Sequence, residues 1–148
     1  MKLSPNFTLD EMTASDTAAR RGLDNTPDDA AVRNLALLCD ELLEPIRAAV
    51  NRPVIVTSGY RAIMVNRAIG SNDRSQHTKG QACDFKVRGI APLDVCYMVE
   101  ALDLPYDQLI HEFGQWIHVS IAAPGSVPRR QTLTIDRQGT RPGLHAAR

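Results

Sequence analysis

The chain has 148 residues, the usual length of one domain, and 43% of them are hydrophobic, as in an ordinary folded protein. Its 17 basic and 17 acidic residues cancel, so no net field draws the chain to nucleic acid or to a membrane surface. Three cysteines without a CxxC pair are too few for a disulfide framework. We therefore expect a single soluble domain with buried thiols, a monomer that binds neither nucleic acid nor membrane.

The N-terminal sequence, MKLSPNFTLDEM, lacks the apolar core that a signal peptide requires, and no later stretch is long and apolar enough to cross a bilayer. We therefore expect the chain to be synthesised in the cytoplasm. Later release by a route that uses no signal peptide stays open.

A long helix is predicted from Pro27 to Val50. Thr26 is a suitable N-cap, Pro27 suits the first helical position, and two aspartates follow in the first turn, where they complement the helix dipole. Pro45 either kinks this helix or divides it in two. Apolar side chains at spacings of three and four form one stripe for the core: Val32, Leu35, Leu38, Leu42, Ile46 and Val50.

Two strands are predicted after this helix. The run PVIVTSGYR predicts a buried strand that stops at Ser-Gly, which places Arg61 just past its end. Residues 62–72 form either a short helix or an irregular loop. Ala82 to Val87 is the second strand, and its alternation turns Cys83 toward the core and Asp84 to the opposite face.

A second helix and a hairpin follow. The helix is predicted over Ala91–Leu102, with Leu102 among its core-facing residues. The sequence DQLIHEFGQWIHVSIA predicts two strands that meet near Gly114 in a tight turn or a bulge. On the second of these strands, alternation places Trp116 and His118 on the face away from the core.

Three side chains that can bind a metal come to one side of the predicted sheet. His77 lies in the loop before a strand, and Asp84 and His118 point away from the core on two strands. Zinc accepts imidazole nitrogen and carboxylate oxygen, and catalytic zinc sites use three protein ligands so that water holds the fourth position. The spacing of His77 and Asp84 alone is more typical of a polar loop that enters a strand. The other histidines have simpler explanations, since His111 faces the core and His145 lies in the tail.

A hydrolytic site also needs a general base and a stabiliser for the anion that forms. Glu112 is the best candidate base, because it precedes His118 across the predicted turn and points away from the core. Arg61 is the best candidate for an oxyanion or carboxylate clamp, since a guanidinium presents a planar fork of donors. Simpler roles stay open: Arg61 can pair with a surface carboxylate, and Glu112 can hydrogen-bond a ligand histidine.

Three ordered motifs give the chain a family resemblance. SGYR at Ser58–Arg61, SQHTKGQACDF at Ser75–Phe85 and EFGQWIHVSI at Glu112–Ile121 resemble the peptidase M15 family, in particular its short phage and prophage branch, and the likeness extends over residues 7–121. Members of this family are zinc D-Ala-D-Ala carboxypeptidases and murein peptidases. The resemblance implies an α+β fold, in which a small antiparallel sheet carries the zinc site and helices pack on its other face.

The resemblance also implies roles for the matching residues. The zinc ligands fall on His77, Asp84 and His118, and the SGYR arginine, which contacts the substrate and stabilises the transition state, falls on Arg61. Glu112 is the expected general base. The substrate contacts expected from the same motifs are Ser75, Tyr60 and Trp116.

The implied function is a zinc-dependent peptidase that hydrolyses peptide bonds in peptidoglycan stem peptides, as a D,D-carboxypeptidase or an endopeptidase. The resemblance points to a phage or prophage lysis enzyme that acts on the cell wall after release. The alternative is a zinc-binding module of the cell wall or of a phage particle without catalysis. That alternative stays open because relatives commonly carry the base where this chain has Phe113, Gly114 and Gln115.

We predict one peptidase domain over residues 1–123. Residues 124–148 form a basic segment that contains proline and glycine. We expect this segment to be partly disordered, with residues 132–135 as its one strand candidate.

Overall fold

The computed structural model describes residues 1–148 and shows an α+β fold with two sheets. The strands are β1 (Lys2–Ser4), β2 (Phe7–Thr8), β3 (Val54–Ser58), β4 (Ala82–Val87), β5 (Gln108–Glu112), β6 (Trp116–Ser120), β7 (Gln131–Asp136) and β8 (Gly139–Pro142). The helices are α1 (Leu9–Thr13), α2 (Asp16–Arg21), α3 (Asp29–Leu38), α4 (Glu44–Val50), α5 (Ile63–Ala68) and α6 (Pro92–Ala101), with a π-helical turn at Cys39–Leu43 and a 3₁₀ helix at Gln76–Lys79. None of these helices has the length and apolar character needed to cross a membrane.

The main sheet has six strands in the order β3-β4-β6-β5-β7-β8, while β1 and β2 form a separate antiparallel pair. The prediction of a small antiparallel sheet is therefore wrong for the sheet that carries the candidate site, because β5 and β7 are parallel. After β6 the chain passes the start of β5, where the amides of Arg130 and Gln131 donate to the carbonyls of Tyr106 and Asp107. β7 therefore joins the free edge of β5 in the same direction.

The long helix predicted from Pro27 to Val50 forms, but its start and its middle differ from the prediction. Asp28 is the N-cap, since its side chain accepts a first-turn amide, whereas the Thr26 amide donates to an aspartate outside the helix. The helical backbone stays continuous, because a π turn at Cys39–Leu43 joins α3 to α4, and Pro45 lies in the first turn of α4. This wider turn lies just before the proline and accommodates a residue that cannot donate to the preceding turn.

The hydrophobic core lies on one face of the six-stranded sheet. Cys83 and Phe85 of β4 point into it, as alternation predicts, and α6 packs across β4, β5 and β6. The three cysteines are buried free thiols, as predicted. Leu102 does not face the core as predicted, because it is the C-cap of α6 and is 38% exposed. The helices thus cover one side of the sheet and leave the other side for a site.

The two ends of the sheet also differ from expectation. β3 is an edge strand rather than a buried one, and Ile55 within it is 41% exposed. Residues 132–135 lie in β7, as predicted. The segment 124–148, for which partial disorder is predicted, contributes both β7 and β8 to the sheet, and the amide of Arg148 donates to Asp136.

Candidate active site

His77 lies in a 3₁₀ helix whose two ends are fixed. Ser75 caps its start, with Oγ accepting the His77 amide at 3.3 Å. Gly80 ends it with a φ of +72°, and a Cβ there would lie 2.6 Å from the backbone oxygen of Ala31, so only glycine fits. The imidazole is buried and its Nδ1 lies 2.7 Å from the Gly59 carbonyl oxygen, which leaves Nε2 as the free ligand atom.

Asp84 and His118 are direct partners on the neighbouring strands β4 and β6. Asp84 Oδ1 lies 2.9 Å from His118 Nδ1 and 3.4 Å from His77 Nε2. One ligand atom from each of the three residues lies within 4.8 Å of the other two. The structure therefore brings together the three residues that strand alternation places on one side of the sheet.

The charges of this cluster suit a cation. Burial alone would raise the pKa of Asp84, but hydrogen bonds from His118 and His77 outweigh it and hold that pKa well below its ordinary value. Burial lowers the pKa of His77, and the hydrogen bond and charge of Asp84 oppose this shift without reversing it. Near neutral pH the cluster thus contains an ionised carboxylate and a neutral His77, the states in which these side chains bind metals. Two nitrogens and one oxygen fit Zn²⁺ and leave a fourth position open.

Glu112 lies beside the cluster at the end of β5. It pairs with Trp116 across the hairpin, so it shares the face of His118, and its Oε1 lies 4.0 Å from His118 Nδ1. Burial, and then the charge of Asp84, raise the pKa of Glu112. The three-residue loop 113–115 explains how a glutamate six positions before the ligand comes this close.

Arg61 reaches the same face from the loop after β3. Its Nε donates to Asn66 Oδ1 at 3.0 Å and its Nη1 donates to Ser58 Oγ at 2.9 Å, while Nη2 makes no hydrogen bond within the chain. Burial lowers the pKa of Arg61, and the nearby charges of Asp84 and Glu112 oppose this shift. A register shift in β3 places Ser58 opposite Asp84. The guanidinium is therefore held near the cluster with one free nitrogen.

The three predicted substrate contacts lie in different environments. Trp116 is partly exposed on the face of the cluster, and its buried indole nitrogen lies against Glu112, where it opposes the rise in the pKa of that group. Ser75 is partly exposed beside His77. Tyr60 is 9% exposed within the hydrophobic core, where burial, and then Asp28, raise the pKa of its hydroxyl. Trp116 and Ser75 thus lie at the site, whereas the side chain of Tyr60 points into the core.

Two asparagines that no sequence pattern singles out hold the loop that carries Arg61. Asn25 donates to the Tyr60 carbonyl and accepts from the Ala62 amide, on either side of Arg61, and it also donates to the Thr13 carbonyl at the end of α1. Asn66 is fully buried, accepts from Arg61, and donates to the Asn72 carbonyl at 2.7 Å. The partners of these asparagines become their neighbours only in the fold. Asn25 therefore gives no signal in a single sequence. The only signal for Asn66 is a polar residue among the apolar residues of α5.

Comparison with known proteins gives one family and a group of partial relatives. A family model described as Peptidase M15 matches residues 5–120. Peptidoglycan L,D-endopeptidase MepK of Escherichia coli (strain K12) is 49% identical over 45 residues, which cover 27% of this chain and 25% of that protein. The proteins of that name from Escherichia coli O157:H7 and Shigella flexneri match to the same extent. The aligned stretch thus spans a quarter of the length of these relatives.

Proposed function

Because the chain belongs to the peptidase M15 family, we propose that it is a zinc-dependent peptidase that hydrolyses peptide bonds in the stem peptides of bacterial peptidoglycan. The observation that carries this proposal is the cluster of His77, Asp84 and His118, with Glu112 and Arg61 beside it on the face opposite the core. The partial likeness to a peptidoglycan endopeptidase supports the substrate class.

The cluster provides the metal ligands. His77 Nε2, Asp84 Oδ1 and His118 Nδ1 would hold the ion: Asp84 Oδ1 lies 3.4 Å from the first nitrogen and 2.9 Å from the second, and one ligand atom of each residue lies within 4.8 Å of the others. The Gly59 carbonyl fixes the orientation of His77 through its Nδ1. A bound zinc ion supplies a Lewis acid that polarises a carbonyl and acidifies water at neutral pH.

Glu112 acts as the general base in this proposal. It takes a proton from the attacking water and returns it to the leaving amine, which breaks the peptide bond. Its raised pKa, caused by burial and by Asp84, brings the carboxylate closer to the pH at which it must both accept and donate a proton.

Arg61 stabilises the anion that forms at the carbonyl oxygen of the cleaved bond. Its Nη2 is free to donate, while Asn66 and Ser58 hold the other two nitrogens. A donor that is already oriented requires no reorganisation when charge develops, and removal of one such donor typically lowers kcat by about 10²–10³-fold.

We propose cleavage within the stem or cross-link rather than removal of a terminal residue, because the partial relatives carry the name L,D-endopeptidase. We also propose that the chain acts on the wall after release from the cytoplasm, as a lysis enzyme of phage or prophage type. Mass spectrometry of the fragments released from peptidoglycan tests whether the chain cleaves within the stem or removes a terminal residue.

Glu112→Gln tests the assignment of the base. This variant should retain zinc and lose turnover by about 10²–10⁴-fold, whereas His118→Ala should lose both. Glu41 is an exposed glutamate of the π-helical turn, and Glu41→Gln is the control that should match the wild type. Zinc binding without any hydrolysis by the wild type would support the non-catalytic alternative. An active Glu112→Gln variant would move the base to another residue.

A further inference from the structure

Phe113 occupies a backbone conformation that its side chain does not favour. It is the first residue of the hairpin loop, with a φ of +55°, and the next residue, Gly114, has a φ of +66°. Asparagine and glycine adopt such angles readily, whereas a bulky residue there is strained. Phe113 is also 42% exposed, so burial does not compensate for the strain. The position therefore holds an aromatic ring where folding alone favours a small residue.

The ring of Phe113 contacts a residue of the candidate active site. Its centroid lies 5.5 Å from that of Trp116, with 40° between the ring planes. Trp116 is the direct partner of Glu112 across the hairpin, and it shares a strand face with His118. The buried indole nitrogen of Trp116 lies against the Glu112 carboxylate. A pair of aromatic rings thus begins at the proposed base.

The position of this pair indicates which part of a substrate it contacts. Trp116 precedes His118 by two residues, so the pair begins about 7 Å from the cluster along the strand. An extended peptide spans about 3.3–3.6 Å per residue, and that distance corresponds to two residues. Uncharged aromatic faces pack on planar amides and aliphatic side chains.

We propose that Phe113 and Trp116 form a binding wall for the stem-peptide residue two positions from the cleaved bond, and that Phe113 determines specificity there. This inference rests on the proposed function and deepens it. The strain at Phe113 is then maintained for substrate binding rather than for the fold.

Phe113→Asn tests the inference with purified enzyme and a synthetic stem peptide that carries no sugar. Because asparagine suits the backbone, the melting temperature should stay the same or rise. KM should rise by about 3- to 10-fold, as expected for loss of one aromatic contact, with kcat within about twofold. Phe113→Tyr should restore KM. Val127→Asn removes an apolar side chain that is 87% exposed elsewhere on the surface and should leave KM unchanged.

Each outcome supports or overturns the inference. If the wild type cleaves no stem peptide, both the proposed function and this inference are wrong. If the wild type is active and Phe113→Asn keeps its KM, only the inference is wrong. If Phe113→Asn lowers both the melting temperature and the activity, Phe113 has a structural role and the inference is wrong. A rise in KM for sugar-bearing fragments but not for the free peptide would contradict the assignment to the peptide.

Discussion

Gly59 has no room for a side chain, and its replacement by alanine tests how the fold positions His77. A Cβ at Gly59 would lie 2.3 Å from the Met12 backbone oxygen and 3.0 Å from its carbonyl carbon. Ordinary contacts begin at 3.4 Å, so the two backbones must separate by about 1 Å. They resist this separation, because the same oxygen accepts the Tyr60 amide at 2.7 Å.

We expect Gly59→Ala to lower the free energy of unfolding by about 1–3 kcal/mol, the usual effect of overpacking. The Gly59 carbonyl also orients His77 through a hydrogen bond of 2.7 Å, and its displacement should weaken zinc binding by about 10- to 100-fold. Urea denaturation measures the first quantity, and competition with a coloured chelator measures the second.

Gly125→Ala is the matched control for this experiment. Gly125 has a φ of +86°, and a Cβ added there would have no other atom within 4 Å, so alanine strains the backbone without a collision. It should lower the free energy of unfolding by about 1 kcal/mol and leave zinc affinity unchanged. The reasoning is refuted if Gly59→Ala keeps wild-type stability and zinc affinity. It is also refuted if Gly125→Ala loses as much zinc affinity as Gly59→Ala.

The remaining predictions concern the support of the site. Asn66→Ala should release Arg61 and lower kcat by about 10- to 100-fold at unchanged zinc content, and an unchanged kcat would contradict this. Hydrogen bonds from Arg129 hold the pKa of Asp107 below its ordinary value, so this carboxylate stabilises the fold above about pH 4 and the contribution is lost as the pH falls. In urea titrations Asp107→Asn should be less stable than the wild type at neutral pH, and the difference should shrink as the pH falls below about 4. Asp103 is exposed, and Asp103→Asn should follow the wild type throughout. Chelation should lower the melting temperature in calorimetry, because zinc at 100 times its Kd adds about 2.7 kcal/mol, and an unchanged melting temperature would argue against a zinc site.

The parts of the site that the sequence predicts are those decided by strand alternation. A shift of one residue reverses the face of every side chain on a strand, so burial of Cys83 also determines the direction of Asp84. The same reasoning places His118 opposite the core, and the register of β4 and β6 makes the two residues partners. The long helix was predictable for a similar reason, since its apolar stripe has a helical period.

Other features depend on contacts between distant segments and cannot be predicted from one sequence. Thr26 and Asp28 are both good N-caps, and the structure uses Asp28, whose side chain accepts the Ala31 amide. The parallel strand β7 depends on the path of residues 121–130 past the start of β5. The position of Glu112 on the face of His118 does follow from the predicted hairpin, but the distance between them depends on the loop geometry, which determines which residues pair.

The central claim is that His77, Asp84 and His118 hold a zinc ion that is required for hydrolysis of stem peptides. Mass spectrometry of fragments released from purified peptidoglycan tests it most directly, with zinc-loaded wild type, chelator-treated wild type and His118→Ala compared side by side. The account predicts cleaved stem fragments from the zinc-loaded wild type alone, and their return when zinc is restored to the chelated enzyme. The same fragments from the chelated enzyme or from His118→Ala would contradict it.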